Sequence, residues 1–168
     1  MVNKLWRVVV GSDDAGFEYK ERLKSDLESD SRVAEVIDVG VHADGHTHYP
    51  HIAVAAARLI RDGRADRGIL ICGTGLGMAI SANKVAGVRA VTAHDGYSVE
   101  RSVLSNNAQV LCMGQRVAGI ELVRHLVEGW LDLEFDESSR SAAKVEAINA
   151  YDQDRHITVG SSESKGAK

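Results

Sequence analysis

The stretch Ile69–Lys84, with the sequence ILICGTGLGMAISANK, decides the fold of this chain. A short apolar run ends at Cys72, three glycines follow at alternate positions, and a helical pattern of apolar residues then begins. This order predicts a strand, a tight turn and a helix. The N–H groups of such a turn and the positive end of the helix would face a bound anion. A thiol at the end of the strand therefore lies where the thiolate form is favoured.

Apolar, β-branched runs alternate with helical patterns along the rest of the chain. The predicted strands are Leu5–Val10, Val33–Val39, Gly68–Cys72, Val88–Ala93 and Gln109–Met113. The predicted helices are Ala15–Leu27, Ile52–Ile60, Leu76–Val85, Tyr97–Leu104, Val117–Leu131 and Ser138–Tyr151. This alternation predicts an α/β fold, a three-layer α/β/α sandwich with a five-stranded parallel sheet. We expect one domain over residues 1–155 and a disordered tail over residues 156–168.

The composition narrows the classes of function. A formal net charge of −4 over 168 residues, without a basic stripe on any predicted helix, argues against binding to nucleic acid. No apolar run approaches the length that a membrane-spanning helix needs. The two cysteines, Cys72 and Cys112, both fall in predicted strands, which favours a reduced, cytoplasmic protein. Cys112 has no glycine-rich turn beside it, so we assign it to the core.

Polar residues gather directly after the predicted strands. They are Ser12–Asp14, Gly40–His42, Cys72–Thr74, His94–Asp95 and Gly114–Arg116. In parallel sheets, ligands bind outside the carboxyl ends of the strands, so these residues are expected to line one site. Any single one of them could be only a turn former or a helix cap, but their joint occurrence favours a site.

The glycine-rich turn Gly73–Gly77 is neither a dinucleotide fingerprint nor a P-loop. Its third glycine comes one residue too early for the former, and no Gly-Lys-Ser/Thr closes it as the latter requires. A small phosphate or an anion of the size of an enediolate suits it better. The alternatives are that the glycines serve only close helix–strand packing, and that Cys72 is only a small buried apolar residue.

Two further clusters of ionisable residues permit more than one interpretation. The histidines His46, His48 and His51 lack the i,i+4 helical spacing of a metal site, so a wall of the ligand pocket is the preferred interpretation. Arg140 and Lys144 lie four residues apart on the last predicted helix. They form either a solvated stripe or a clamp for a phosphate group.

Several motifs together resemble those of the family of ribose-5-phosphate isomerase B and galactose-6-phosphate isomerase. They are Gly11–Phe17, Tyr49–His51, Ile69–Lys84, Val110–Val117 and Arg140–Ile148, and the similarity extends from Arg7 to Ala150. The resemblance implies a Rossmann-like fold and a phosphorylated small sugar as substrate, with no metal and no other cofactor. It also implies a homodimer or a dimer of dimers, with active sites across the subunit interface.

The same resemblance assigns roles to the glycine-rich turn. Cys72 matches the base that moves a proton between C1 and C2 of the sugar, and Gly73–Gly77 matches the anion hole for the cis-enediolate, with Thr74 assisting. A second branch of the family uses a glutamate at the position of Met78. Because methionine cannot carry a proton, this chain is expected to belong to the cysteine branch. A thiolate can act as the base that removes the proton, and preorganised N–H donors can stabilise the enediolate that forms.

The resemblance also assigns the residues that contact the substrate. Asp13 would bind hydroxyls and Asn106 would lie near the reacting oxygens, whereas Arg116, Arg140 and Lys144 would bind the phosphate. Asn106 and Arg116 are expected from the neighbouring subunit. The remaining predicted substrate-binding residues are Asp14, Tyr49, Gly73, Gly75, Leu76, Gly77 and Ser105.

Asp14 and Ser105 both stand where the family usually has histidine. The histidine at the second position opens the furanose ring, and a serine has no titration near neutral pH with which to replace it. A four-carbon sugar phosphorylated on its terminal oxygen has no ring to open, which favours D-erythrulose 4-phosphate and D-erythrose 4-phosphate as substrates. The alternatives are a ribose-5-phosphate isomerase in which another group, such as His94, opens the ring, and a sugar-phosphate binding subunit without activity. A carboxylate at Asp14 is unfavourable near phosphate unless it faces hydroxyls.

Overall fold

The structure is a computed structural model that describes residues 5–152. Its strands are β1 (Trp6–Ser12), β2 (Val33–Asp38), β3 (Arg67–Cys72), β4 (Ala90–Thr92) and β5 (Val110–Gly114). All neighbouring pairs are parallel, and the order across the sheet is β2-β1-β3-β5-β4. The predicted α/β fold with a five-stranded parallel sheet is therefore confirmed. The predicted tail, residues 156–168, lies outside the described residues.

Residues 5–152 form six α-helices. They are α1 (Phe17–Glu28), α2 (Tyr49–Arg61), α3 (Leu76–Ala82), α4 (Gly96–Leu104), α5 (Ile120–Leu131) and α6 (Ala142–Tyr151). Along each strand, successive side chains point to opposite faces. One face of the sheet packs against α1, α4 and α5, and the other packs against α2 and α3. None of the helices within residues 5–152 is long and apolar enough to cross a bilayer.

The α2–α3 face carries both cysteines. Cys112 is 0% exposed in the middle of β5, so its assignment to the core is confirmed. Cys72 is 5% exposed and is the last residue of β3. Both thiols are free. The sheet thus buries one cysteine completely and brings the other to its carboxyl edge.

Some element boundaries differ from the prediction. The first strand excludes Leu5, which is exposed, and continues to Ser12 because Ser12 still pairs with Ile71 of β3. The helix α3 ends at Ala82 because the amide side chain of Asn83 exchanges two hydrogen bonds with the backbone of Ala90. In each case a pairing with another segment, which local propensity does not encode, sets the boundary.

The last two helices begin three or four residues later than predicted. Residues 115–118 form turns instead, since the N–H groups of Val117 and Ala118 both donate to the Gly114 carbonyl. Asp136 accepts hydrogen bonds from the backbone and the hydroxyl of Ser138, which holds that segment in a turn. Arg140 therefore precedes α6, and the prediction that it shares a helix with Lys144 is wrong.

Candidate active site

Cys72 ends β3 with its thiol facing the glycine-rich turn. The N–H group of Gly75 donates to the Cys72 Sγ atom over 3.0 Å. Gly75 can point its N–H at the sulfur because its φ is +80°, in the left-handed region that side chains disfavour. A hydrogen bond to the charged form of a group stabilises that form. The turn is thus folded so that it presents a backbone hydrogen-bond donor to the Cys72 sulfur.

The carboxyl end of β5 supports this turn from behind. The N–H groups of Gln115 and Arg116 donate to the carbonyls of Cys72 and Gly73 over 2.9 and 3.1 Å. A β-carbon at Gly114 would lie 2.6 Å from the Thr74 Cα atom, which only glycine avoids. These two hydrogen bonds and the close approach of Gly114 hold the turn against the end of β5.

Close packing accounts for two of the three glycines in the turn. A β-carbon at Gly75 would lie 3.0 Å from the backbone of Met113, so close packing also requires this glycine. At Gly77 a β-carbon would lie 2.5 Å from the Cε2 atom of Tyr49, because the Tyr49 ring rests on the first turn of α3. Gly77 thereby makes room for an aromatic wall of the site.

Thr92, the last residue of β4, and His94, which follows β4, also hold the turn by hydrogen bonds. The Nε2 atom of His94 accepts the Gly114 N–H over 2.8 Å, and the Thr92 hydroxyl donates to the Gly75 carbonyl over 3.0 Å. Burial lowers the pKa of His94, against a smaller opposing effect of Asp95, which favours the neutral ring that this bond needs. His94 therefore supports the turn, and only its Nδ1 atom is left to meet a substrate.

Asp13 and Arg116 lie on the open side of the turn. The Asp13 carboxylate caps the short 3₁₀ helix Asp14–Gly16 by accepting the Gly16 N–H over 3.1 Å. Burial raises the pKa of Asp13, although the N–H groups of Gly16 and Ala15 and the nearby Arg116 guanidinium oppose the rise. A β-carbon at Gly73 would lie 3.5 Å from the Cδ and Nη1 atoms of Arg116.

The position of Arg116 corrects one expectation. Its side chain lies beside Gly73 of its own chain, so the turn does not depend on a neighbouring subunit for this cation. The physical reason is the parallel pairing of β3 with β5, which ends at Cys72 and Gly114. The residues that follow the two strands are consequently neighbours within one chain.

Four predicted site residues are not brought to this edge of the sheet. Helix α4 starts at the carboxyl edge and runs back over nine residues, about 13 Å, so Ser105 and Asn106 lie at the amino edge. The Ser105 hydroxyl accepts hydrogen bonds from the Arg101 guanidinium over 2.5 and 2.9 Å. Arg140 and Lys144 follow α5, which ends at the amino edge, and Asn149 farther along α6 accepts a hydrogen bond from Arg89, which precedes β4 at that edge.

A cluster of buried charges that the sequence motifs did not predict fixes the loop after β2. The Lys20 side chain is 0% exposed, and its Nζ atom donates to both carboxylate oxygens of Asp38 over 2.9 and 3.1 Å and to the Val41 carbonyl over 2.8 Å. Lys20 follows Phe17 by three residues and precedes Leu23 by three, so it interrupts the apolar stripe of α1. This interruption is the signal that could have revealed the cluster.

Comparisons with known proteins agree with this architecture. The sequence profile of the family described as Ribose/Galactose Isomerase matches residues 8–148. The chain is 66% identical over 147 residues to D-erythrulose-4-phosphate isomerase 2 of Mycolicibacterium smegmatis, covering 87% of this chain and 97% of that protein. It is 41% identical over 150 residues to ribose-5-phosphate isomerase B of Escherichia coli, covering 89% and 99% of the two chains.

A solved structure shows the same fold. Ribose-5-phosphate isomerase B of Clostridium thermocellum aligns with a TM-score of 0.82 and 37% sequence identity, over 88% of this chain and 97% of that chain. The family profile and both sequence relatives cover nearly the whole described region. The chain therefore belongs to the ribose/galactose isomerase family of sugar-phosphate aldose–ketose isomerases.

Proposed function

We propose that this chain interconverts an aldose phosphate and a ketose phosphate, without a metal, by proton transfer through Cys72. The observation that carries the proposal is the Cys72 thiol itself, which ends a buried strand and receives the Gly75 N–H at its sulfur. The thiolate would take the proton from C2 of the aldose and return it to C1 of the cis-enediolate, while the hydroxyl proton passes from O2 to O1. The first N–H groups of α3, which have no helical partner, would stabilise the negative oxygen.

The residues beside the turn suit the two ends of such a substrate. Arg116, next to Gly73, supplies a planar cation for a phosphate group. Asp13 accepts hydrogen bonds and suits sugar hydroxyls. The two free thiols in the described chain also agree with a reducing, cytoplasmic setting.

The favoured substrates are D-erythrulose 4-phosphate and D-erythrose 4-phosphate. Two observations support this choice. First, Ser105 is held by Arg101 and offers no group that titrates near neutral pH for opening a sugar ring. Second, the relative that is 66% identical is named for erythrulose 4-phosphate. A tetrose phosphorylated on its terminal oxygen stays in the open chain, so it needs no ring-opening residue.

We expect kcat/KM for D-erythrulose 4-phosphate to exceed that for ribose 5-phosphate by at least about tenfold. The test is a steady-state comparison of both substrates with the same preparation of enzyme. An equal or higher kcat/KM for ribose 5-phosphate would contradict the choice of a tetrose. In that case the His94→Asn variant separates the remaining explanations, since a ring-opening His94 would matter for a cyclic substrate far more than for an open one.

We infer that a second copy of this chain completes the site. Two apolar side chains of α3 beside the turn, Leu76 and Ile80, are 57% and 63% exposed. Tyr97 and Val117, which follow β4 and β5 at the same edge, are 75% and 55% exposed. Exposed apolar residues clustered at one edge mark an interface. A second copy that covers them would also offer Asn106, which a single chain holds at the opposite edge.

A mixture of two inactive variants tests the shared site. We expect Cys72→Ala and Asn106→Ala each to lose activity, and their co-expressed mixture to regain about a quarter of the wild-type rate, because half of the dimers carry one intact site of two. The measurement is the rate of isomerisation per chain, with the purified single variants as controls. A mixture no faster than the average of its parents would show that each chain carries its own complete site.

A further inference from the structure

The loop between β2 and α2 lies over the carboxyl end of β1 and is fixed at its base. Besides the Lys20 hydrogen bonds, the Ser12 N–H donates to the Gly40 carbonyl over 2.6 Å, and the Val41 N–H donates to the Ser12 carbonyl over 2.7 Å. Farther along the loop, the Gly45 N–H donates to the His42 carbonyl over 2.8 Å. These bonds determine where the next residue, His46, can lie.

His46 lies directly against Asp14. The Nδ1 atom of His46 is 2.7 Å from the Oδ2 atom of Asp14. An ionised carboxylate can only accept a hydrogen bond, so Nδ1 carries the hydrogen, and in the neutral ring Nε2 is left as an acceptor. Orientation of an imidazole by a carboxylate at its other nitrogen is how proteins fix a functional histidine. Asp14 thus holds the His46 ring through Nδ1, while the His46 side chain stays 85% exposed.

The pair lines a cavity of about 390 Å³ beside the glycine-rich turn. The lining residues are Asp13, Asp14, Ala15, His46, Thr47, His48 and Tyr49. Tyr49 belongs to this wall and also rests on Gly77, so the cavity adjoins the first turn of α3. It is large enough for the carbon chain of a small sugar.

The chemistry of the cavity selects hydroxyls and disfavours phosphate. Two carboxylates line it, and none of its lining residues within the described chain is lysine or arginine. Carboxylates repel a phosphate dianion but accept hydrogen bonds from hydroxyls. Arg116, the cation suited to phosphate, lies beside Gly73 instead. The hydroxyl-bearing end of a ligand would therefore lie toward Asp14 and His46, and its phosphate toward Arg116.

We propose that His46 is a specificity-determining residue whose Nε2 atom accepts a hydrogen bond from a hydroxyl of the sugar phosphate, and that Asp14 is its positioning residue. This inference rests on the proposed function, because it places the substrate at the turn that carries Cys72. Asp14 then acts through His46 and does not itself contact the phosphate. The loop thus supplies a histidine, His46, directly beside the carboxylate of Asp14.

Binding measurements test the proposal without requiring turnover. The probes are 4-phospho-D-erythronate, which carries hydroxyls, a phosphate and a carboxylate that resembles an enediolate, and inorganic phosphate, which has no carbon chain. We expect His46→Ala to raise the Kd for 4-phospho-D-erythronate about tenfold, as loss of one hydrogen bond to the ligand does, and to leave the Kd for phosphate unchanged. His46→Gln, whose amide oxygen can still accept a hydrogen bond, should recover part of the affinity.

Binding by Asp14 variants tests separately whether Asp14 acts through His46. Asp14→Asn should raise the Kd for 4-phospho-D-erythronate nearly as much as His46→Ala does. The double variant should bind this ligand no more weakly than His46→Ala alone. His125→Ala, which removes an exposed imidazole on α5, is the control and should bind as the wild type does. Unchanged binding by His46→Ala, an equal loss for phosphate, or additive losses in the double variant would each overturn the proposal. Turnover by the wild type is measured separately, and its absence would overturn only the proposed function.

Discussion

Replacing Cys72 by alanine is expected to lower kcat about 1000-fold, the scale of a general base in proton transfer. The thiol is placed for this role by the Gly75 N–H at its sulfur and by β5, which holds the turn from behind. Binding should persist, because the N–H groups of the turn and Arg116 remain in place. The measurements are kcat for the sugar phosphate and the Kd of 4-phospho-D-erythronate for the same preparation.

The matched control is the other cysteine. Cys112→Ala removes a completely buried thiol from the neighbouring strand, and we expect it to lower the free energy of unfolding by about 1 kcal/mol while kcat stays within about twofold. If Cys72→Ala keeps more than about a tenth of the wild-type kcat, Cys72 is not the base. If the wild type binds the sugar phosphate but does not turn it over, the chain is a binding subunit without activity.

Replacing Lys20 by methionine is expected to lower the free energy of unfolding by about 3 kcal/mol, because it leaves the Asp38 carboxylate without its main partner in a buried site. Asp38 is 9% exposed, and the Lys20 side chain is 0% exposed. Urea denaturation at pH 7 gives the change. Lys24→Met is the control: Lys24 also contacts Asp38, but its side chain is 30% exposed, so we expect a loss below about 1 kcal/mol.

The pH dependence of the free energy of unfolding is a second test of the Lys20–Asp38 pair. Burial acts to raise the pKa of Asp38, but hydrogen bonds from Lys20, the Gly40 N–H and Lys24 outweigh it and hold the pKa below its ordinary value. The stabilisation is therefore present above about pH 4 and is lost as the pH falls toward the pKa of the folded state. Lys20→Met should flatten this part of the profile. A profile identical to that of the wild type would contradict the role of the pair.

Loss of the Lys20 cluster should also loosen the loop that carries His46. Asp38→Asn combined with Lys20→Met removes the buried charge and should recover part of the stability, since an amide is less costly to bury than an unpaired carboxylate. The recovered variant would still lack the hydrogen bond from Lys20 to the Val41 carbonyl. The double variant thus separates the effect of charge from the effect of loop position.

The sheet and its functional edge could be predicted from the sequence because both depend on local patterns. Strands are identified by short segments in which apolar residues alternate with polar ones, or in which all residues are apolar, when turn residues follow. The run that ends at Cys72 and the glycines after it therefore predicted the turn that the structure contains. The boundaries of α3, α5 and α6 were less accurate, since hydrogen bonds made by the Asn83 amide and hydrogen bonds accepted by Gly114 and Asp136 decide them.

Contacts between distant segments could not be predicted in the same way. Nothing local places Tyr49 on Gly77 or Lys20 beneath Asp38, because these pairs meet only when α2 packs beside α3 and α1 packs against β2. The assignment of Arg116 to a neighbouring subunit failed for a related reason. The register of β3 against β5 decides which residues share an edge, and register is a property of paired strands.

The sequence by itself determined the fold class and the glycine-rich turn after Cys72, and it predicted the carboxyl edge as the site, because each of these depends on patterns of neighbouring residues. Only the tertiary structure decided which charged groups reach that turn. It brought Arg116 and the Asp14–His46 pair to the site and left Asn106 at the other edge. The physical reason is that helices connect the parallel strands and run back across the sheet. A residue at the end of a strand therefore lies at the carboxyl edge, whereas a residue at the end of the following helix lies at the amino edge.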